Sequence, residues 1–164
     1  MRQIPAMESH FRLIALPRRR FVHLFSLSDV ELAAQGARRL VVQEYPGYPC
    51  RVSLKDAAVG EHVILTPFKH HDVESPYQSS GPIFVRETAQ TAEPAVNEIP
   101  LMFHHRLLSV RAYDQSAIMR GARVVEGRAL DDAIRGFLAN RDTAYLHLHN
   151  AGPGCFNCLV QRAG

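Results

Sequence analysis

No stretch of this 164-residue sequence is apolar for the roughly 20 residues that a membrane-spanning helix requires. Tryptophan is absent, lysine occurs only at Lys55 and Lys69, and cysteine only at Cys50, Cys155 and Cys158. Three cysteines make no even disulfide framework, so a stapled secreted scaffold is not expected and a reducing compartment is. The start offers no secretory leader, because Glu8, His10 and Arg12 interrupt the apolar residues between Met1 and Pro17 and no small-residue cleavage site follows. A soluble, cytoplasmic chain with no membrane partner is the expectation. Clustered cations are scarce as well. The net charge of +3 is scattered among acids except at Arg18, Arg19 and Arg20, which read as a solvated turn between strands. Without a basic patch interleaved with stacking aromatics, nucleic acid is not an expected partner.

What the chain does have is 46% hydrophobic residues, enough for one ordinary domain over 1–164, and nine histidines against two lysines. Apolar runs of strand length recur at Phe11 to Leu16, Phe21 to Ser26, Leu40 to Gln43, His62 to Phe68, Ile83 to Arg86, Leu107 to Tyr113, Ile118 to Val125, Thr143 to His149 and Cys155 to Gln161. Each is bounded by Pro, Gly, Asp or Asn. Helical spacing occurs twice. Ser28 with Glu31 forms a capping box for a short helix ending near Ala34 and Gly36. Leu130, Ala133, Ile134, Phe137 and Leu138 form one apolar stripe behind Asp131 and Asp132. Glu87 to Pro100 reads as a long loop or lid. Strands that follow one another rather than alternating with helices predict an α+β fold: a mostly antiparallel, strongly bent sheet or partial barrel with two short helices.

The last strands hold the densest chemistry. Around an Asn150-Ala151-Gly152-Pro153-Gly154 turn, placing Leu148 opposite Phe156, Leu146 opposite Cys158 and Ala144 opposite Val160 puts the strongly apolar side chains on one face. The other face then carries His147, His149, Cys155 and Asn157, with His149 directly across from Cys155. Cys158 falls on the core face, so the Cys155-Phe-Asn-Cys158 spacing is neither a zinc knuckle nor a thioredoxin-type pair. The polar face has three readings. His147, His149 and Cys155 are candidate ligands of a divalent metal such as zinc; Cys155 with His149 is a candidate nucleophile and base; or the face is a hydrogen-bonded scaffold. Elsewhere, the loop Ser75 to Pro82, with Ser75, Tyr77 and Ser80, enters a strand ending at Arg86 and can offer hydroxyls and N–H groups to an anion. Arg111 shares a face with Ser109 and Tyr113 and adds a second cation, although an ion pair with Asp114 or a nearby Glu is the commoner outcome. The adjacent pairs His70-His71 and His104-His105 alternate faces in an extended chain and read as loop or surface histidines.

Taken together, Tyr48-Pro-Cys50-Arg51, Ser75-Pro-Tyr77 through Ser80-Gly-Pro-Ile-Phe-Val-Arg86, Leu108-Ser-Val-Arg-Ala-Tyr-Asp114 and His147-Leu-His-Asn150 to Gly154-Cys-Phe-Asn-Cys158 resemble a bacterial family known as a domain of unknown function, DUF1203. The resemblance runs from about Tyr45 to the C-terminus. It implies a bacterial cytoplasmic protein and assigns no residue a role. The expected function is a small-molecule-binding domain, which an enzyme would also be. Its ligand-binding residues are Ser75, Tyr77, Ser80, Arg86, Arg111, His147 and Asn150, and a small anionic molecule is the expected partner. The alternative is a non-catalytic interaction or structural domain.

Overall fold

The computed structural model describes residues 9–164; Met1 to Glu8, over which part of the leader argument runs, lie outside it. Among the described residues, eight strands form two antiparallel sheets. In chain order, β1 (Phe11–Ile14), α1 (Val22–Phe25), α2 (Asp29–Ala34), β2 (Arg38–Val41), β3 (His62–His71) and β4 (Ser79–Arg86) precede β5 (Leu107–Tyr113), β6 (Met119–Glu126), α3 (Leu130–Leu138), β7 (Tyr145–Asn150) and β8 (Phe156–Arg162). The larger sheet has the order β1-β8-β7-β5-β6 and the smaller β2-β3-β4. The architecture is α+β, as expected, and the strands are divided between two sheets rather than closed into a barrel. No helix among the described residues is long and apolar enough to cross a membrane.

Alternation explains the larger sheet. Leu108, Val110 and Ala112 of β5, Leu146 and Leu148 of β7, and Cys158 and Val160 of β8 point to one face, where α3 covers them with Leu130, Ala133, Ile134 and Leu138. Phe137 is only half-buried at the edge of this core, with its ring over Gly121. The acids Asp131 and Asp132 occupy the first turn of α3, and Asp131 accepts from Arg135 Nε at 2.6 Å, one turn along. In α2 the capping box forms in full: Glu31 N donates to Ser28 Oγ at 3.2 Å and Ser28 N to Glu31 Oε2 at 2.9 Å. A second core lies where Phe21, Leu24 and Leu32 pack on Ile64, Ile83 and Val85 of the smaller sheet.

One expected strand is not one. Phe21 to Ser26 contains α1, because Phe21 and Leu24, three residues apart, are both buried while Val22 between them is exposed. A strand would have placed Phe21, His23 and Phe25 on one face. The arginine triplet before it is a 3-10 turn rather than a link between strands. Arg18 donates to the carbonyls of Glu87 and Ala89, and Arg20 lies over the Phe68 ring, so both arginines serve packing. The segment 87–100 is a loop as expected, tied down by Ala92 N to Val52 O and Asn97 N to Phe11 O.

Candidate functional site

The uncovered face of the larger sheet is polar over β5 and β7, where Ser109, Arg111 and Tyr113 run beside Tyr145, His147 and His149. β3 continues past Phe68 to bring His70 and His71 against it, which corrects their reading as loop or surface residues; His71 is 3% exposed. The resulting block of rings is continuous. His70 stacks on Phe156 with centroids 5.1 Å apart and meets His149 edge-on at 5.1 Å, while His71 meets His147 at 4.8 Å and Tyr113 stacks on Tyr145 at 5.3 Å. The second histidine pair, His104 and His105, is exposed, as expected of surface histidines.

Hydrogen bonds fix two tautomers. A carbonyl oxygen only accepts, so His149 Nδ1 donates to Gly154 O at 2.9 Å and its Nε2 is an open lone pair. By the same logic His71 Nδ1 donates to Tyr77 O at 2.8 Å, and its Nε2 accepts from the Tyr145 hydroxyl at 2.6 Å. Four buried side-chain atoms have no hydrogen-bond partner among the described residues: His70 Nδ1, His147 Nδ1, His149 Nε2 and Asn157 Oδ1. Three belong to the ring block, and the fourth lies on the adjoining strand, where Asn157 Nδ2 donates to Asn150 Oδ1 at 2.7 Å. Native proteins leave few such atoms unsatisfied, so their concentration here calls for a cause.

Three of the imidazoles, His70, His147 and His149, are uncharged near neutral pH. Burial pushes His147 down to about 3, reinforced by His71, His149, His70 and Arg111. It pushes His70 down to about 4, with His71 and Arg111 adding to the effect. His149 also falls to about 4 through burial, against the Gly154 carbonyl, with Arg111, His70 and Arg51 contributing further. Such weak bases are poorly matched to proton abstraction at pH 7, where a base of pKa near the working pH serves best. They are well matched to recognition by hydrogen bonding. Burial also raises Tyr145 to about 12, with Tyr113 and Asp114 adding to it, so its hydroxyl remains a donor to His71.

The hairpin register departs from the expected one by two residues: Leu148 faces Cys158 and Leu146 faces Val160, after which a bulge sets His149 against Phe156. The faces of Leu146, Leu148, Cys158 and Val160 are unaffected, but Cys155 is carried off the strand into the turn. His149 is therefore not its cross-strand neighbour, and the candidate nucleophile–base pair is not formed. Cys155 Sγ instead accepts from Arg51 Nη2 at 3.2 Å and Asn150 Nδ2 at 3.3 Å. Nor do His147, His149 and Cys155 converge as metal ligands; no group of three His, Cys, Asp or Glu among the described residues does. Cys158 is fully buried, and burial drives its thiol far above the usual range.

Of the remaining candidates, Tyr77 joins the block through its ring on Tyr113 at 6.1 Å. Ser75 Oγ donates to Ala117 O at 2.8 Å and accepts from Tyr77 N, so it shapes the loop. Ser80 is exposed at the start of β4. Arg86 is engaged by Glu61 at 2.7 Å and by Ser53, and makes no anion site with the Ser75 loop. Arg111 escapes the expected ion pair, since Asp114 binds Arg120 instead. Besides His70 and His71, sequence reasoning missed Arg51, whose buried guanidinium donates to the carbonyls of Phe156 and Pro49 and so joins the 49–57 segment to the hairpin. A signal for β3 was present: no Gly, Pro or Asn stands between Phe68 and Asp72 to end the strand.

Residues 47–162 match the model of a family described as "Protein of unknown function (DUF1203)". No curated protein and no solved structure matches the chain.

Proposed function

The chain belongs to the DUF1203 family, whose description carries no activity, so its function must be read from the site; we propose that it is a small-molecule-binding domain whose ligand sits against the β5–β7 face beside His70. The observation that carries this is the group of unpartnered buried atoms, His70 Nδ1, His147 Nδ1, His149 Nε2 and Asn157 Oδ1. Each costs about 1–3 kcal/mol unless something bonds to it, and three lie within one ring block. A bound polar molecule would recover that cost. The three free thiols fit a cytoplasmic setting.

A second reading is favoured by His71, both of whose ring nitrogens are satisfied within the protein. On that view the block is a packing core that joins the two sheets. Thermal-shift screening of the full chain against a library of small polar compounds separates the two. The binding reading expects compounds that raise the melting temperature of the native protein and fail to do so for His149→Phe, which fills the same space without the open nitrogen. If every stabilising compound acts equally on both proteins, the scaffold reading stands and ours fails.

A further inference from the structure

Arg111 is a part-buried cation whose side-chain partners among the described residues are Ser109 Oγ, reached by Nε at 3.2 Å, and the Tyr113 hydroxyl. Most of its N–H donors therefore have no acceptor among the described residues. Asp114, the nearest acid in sequence, is used up: Oδ1 accepts from Ser116 N and Ile118 N, and Oδ2 from Arg120 at 2.6 Å. The histidines of β3 cover β7, β8 and the Tyr113 end of β5. Across from Arg111 and Ser109, the β6 residues Ala122 and Val124 are exposed, so an open shelf of small apolar side chains lies beside the guanidinium. His147 and His149, 4% and 1% exposed, carry two of the open nitrogens behind it.

We propose that this shelf takes a small ligand bearing an oxyanion, with the anionic group on the Arg111 guanidinium and the rest of the ligand bonded to the open nitrogens of His70, His147 and His149. This rests on the ring block being a ligand site, and it adds the chemical class. Arginine suits a planar or tetrahedral oxyanion because its fork of donors can grip two oxygens. Among the described residues, no carboxylate pairs with Arg111. The groups around it are His70 and His71 from β3, Tyr77 from the loop after β3, Ser109 and Tyr113 from β5, and Tyr145, His147 and His149 from β7, with Arg51 and Cys155 behind the hairpin. Asp114 acts on Tyr145 at one end of this set, and it is held by Arg120.

Binding should also take up protons. Burial is the main bar to protonating the three open imidazoles and Arg111 adds to it in each, so an anion that neutralises Arg111 and accepts from the ring raises their affinity for a proton. By linkage, affinity then rises as the pH falls.

The test is a titration of the full chain with sodium sulfate at constant ionic strength, read from the histidine ring signals in proton–nitrogen correlation spectra. Sulfate keeps its charge over the range used, so any pH dependence belongs to the protein. Saturable shifts of His147 and His149 are expected, with affinity at least about twofold tighter near pH 5.5 than near pH 7. Arg111→Gln should weaken binding at least about tenfold, and Arg111→Lys less, since it keeps the charge but loses the fork. Arg111 is part-exposed, and melting curves establish that both variants fold. Parallel arms with acetate and inorganic phosphate tell a carboxylate ligand from a phosphate one, and a response to either supports the proposal. Absence of response to all three anions, or shifts that persist unchanged in Arg111→Gln, overturns it. If a neutral library compound moves the His147 and His149 signals while no anion does, the oxyanion class fails and the binding reading survives.

Discussion

Acidification from pH 7 to pH 5 should destabilise this protein through His147 and His149. An imidazole whose folded-state pKa lies below the unfolded value of about 6.5 contributes stability that is fully present above that value and is lost as the pH falls beneath it, because the unfolded chain binds the proton first. With His147 held at about 3 and His149 at about 4, nearly the whole interval from 6.5 down to 5 counts against the folded state. At about 1.4 kcal/mol per pH unit, each group forfeits about 2 kcal/mol. Both rings stay neutral in the folded protein down to pH 5, so the two losses add and the pair should cost about 4 kcal/mol. His70, more exposed, adds a smaller amount. The carboxylates held low, Glu61 and Asp114, contribute stability that is lost only as the pH falls below about 4, which leaves the window to the histidines. Urea unfolding at the two pH values measures the difference, and His149→Gln should remove roughly half of it. A stability that is flat or rising between pH 7 and pH 5 would refute the claim that these rings are buried and neutral.

Ile134→Ala, in the fully buried stripe of α3, should cost about 2–5 kcal/mol, whereas Phe137→Ala should cost less because the ring is half-exposed; urea midpoints order the two. Gly127→Ala should cost about 3 kcal/mol or more and lower the melting temperature accordingly, since its Cβ would stand 1.7 Å from Phe103 O, a backbone atom with no room to move. Thiol titration of the unreduced, denatured protein should find three free groups, and alkylation of the native protein should modify part-exposed Cys155 well before buried Cys50 and Cys158; peptide mapping that finds Cys158 first reverses the hairpin faces.

Much of the fold was legible because its signals are local. The Ser28–Glu31 capping box and the 130–138 stripe each specify a helix within about two turns of chain, and both formed where the spacing placed them. The alternation Leu146, Leu148, Cys158, Val160 marked the core face for the same reason. Phe21 to Ser26 failed because a short apolar run fits either period, and only the core decides which of its residues is buried. The division into two sheets rests on contacts between distant segments, such as Arg51 reaching the carbonyl of Phe156, and no local pattern encodes those.

The candidate site was half legible, and the hairpin shows why. Side chains on a strand repeat every two residues, so a register error of two leaves every face intact: Leu148 still opposed an apolar partner, and His147 and His149 still shared the polar face. A bulge adds one residue, and one residue reverses the faces beyond it. Here it turns Phe156 onto the polar side to stack under His70, and it leaves Cys155 in the turn with Arg51 and Asn150. Turn chemistry does not announce such an insertion, and without it His70 would have no ring to stack on. The same extra residue thus removes the cysteine from the histidine face and supplies the aromatic floor that seats the second sheet there. That is why we propose a ligand held by His147 and His149 rather than chemistry at a cysteine activated by His149.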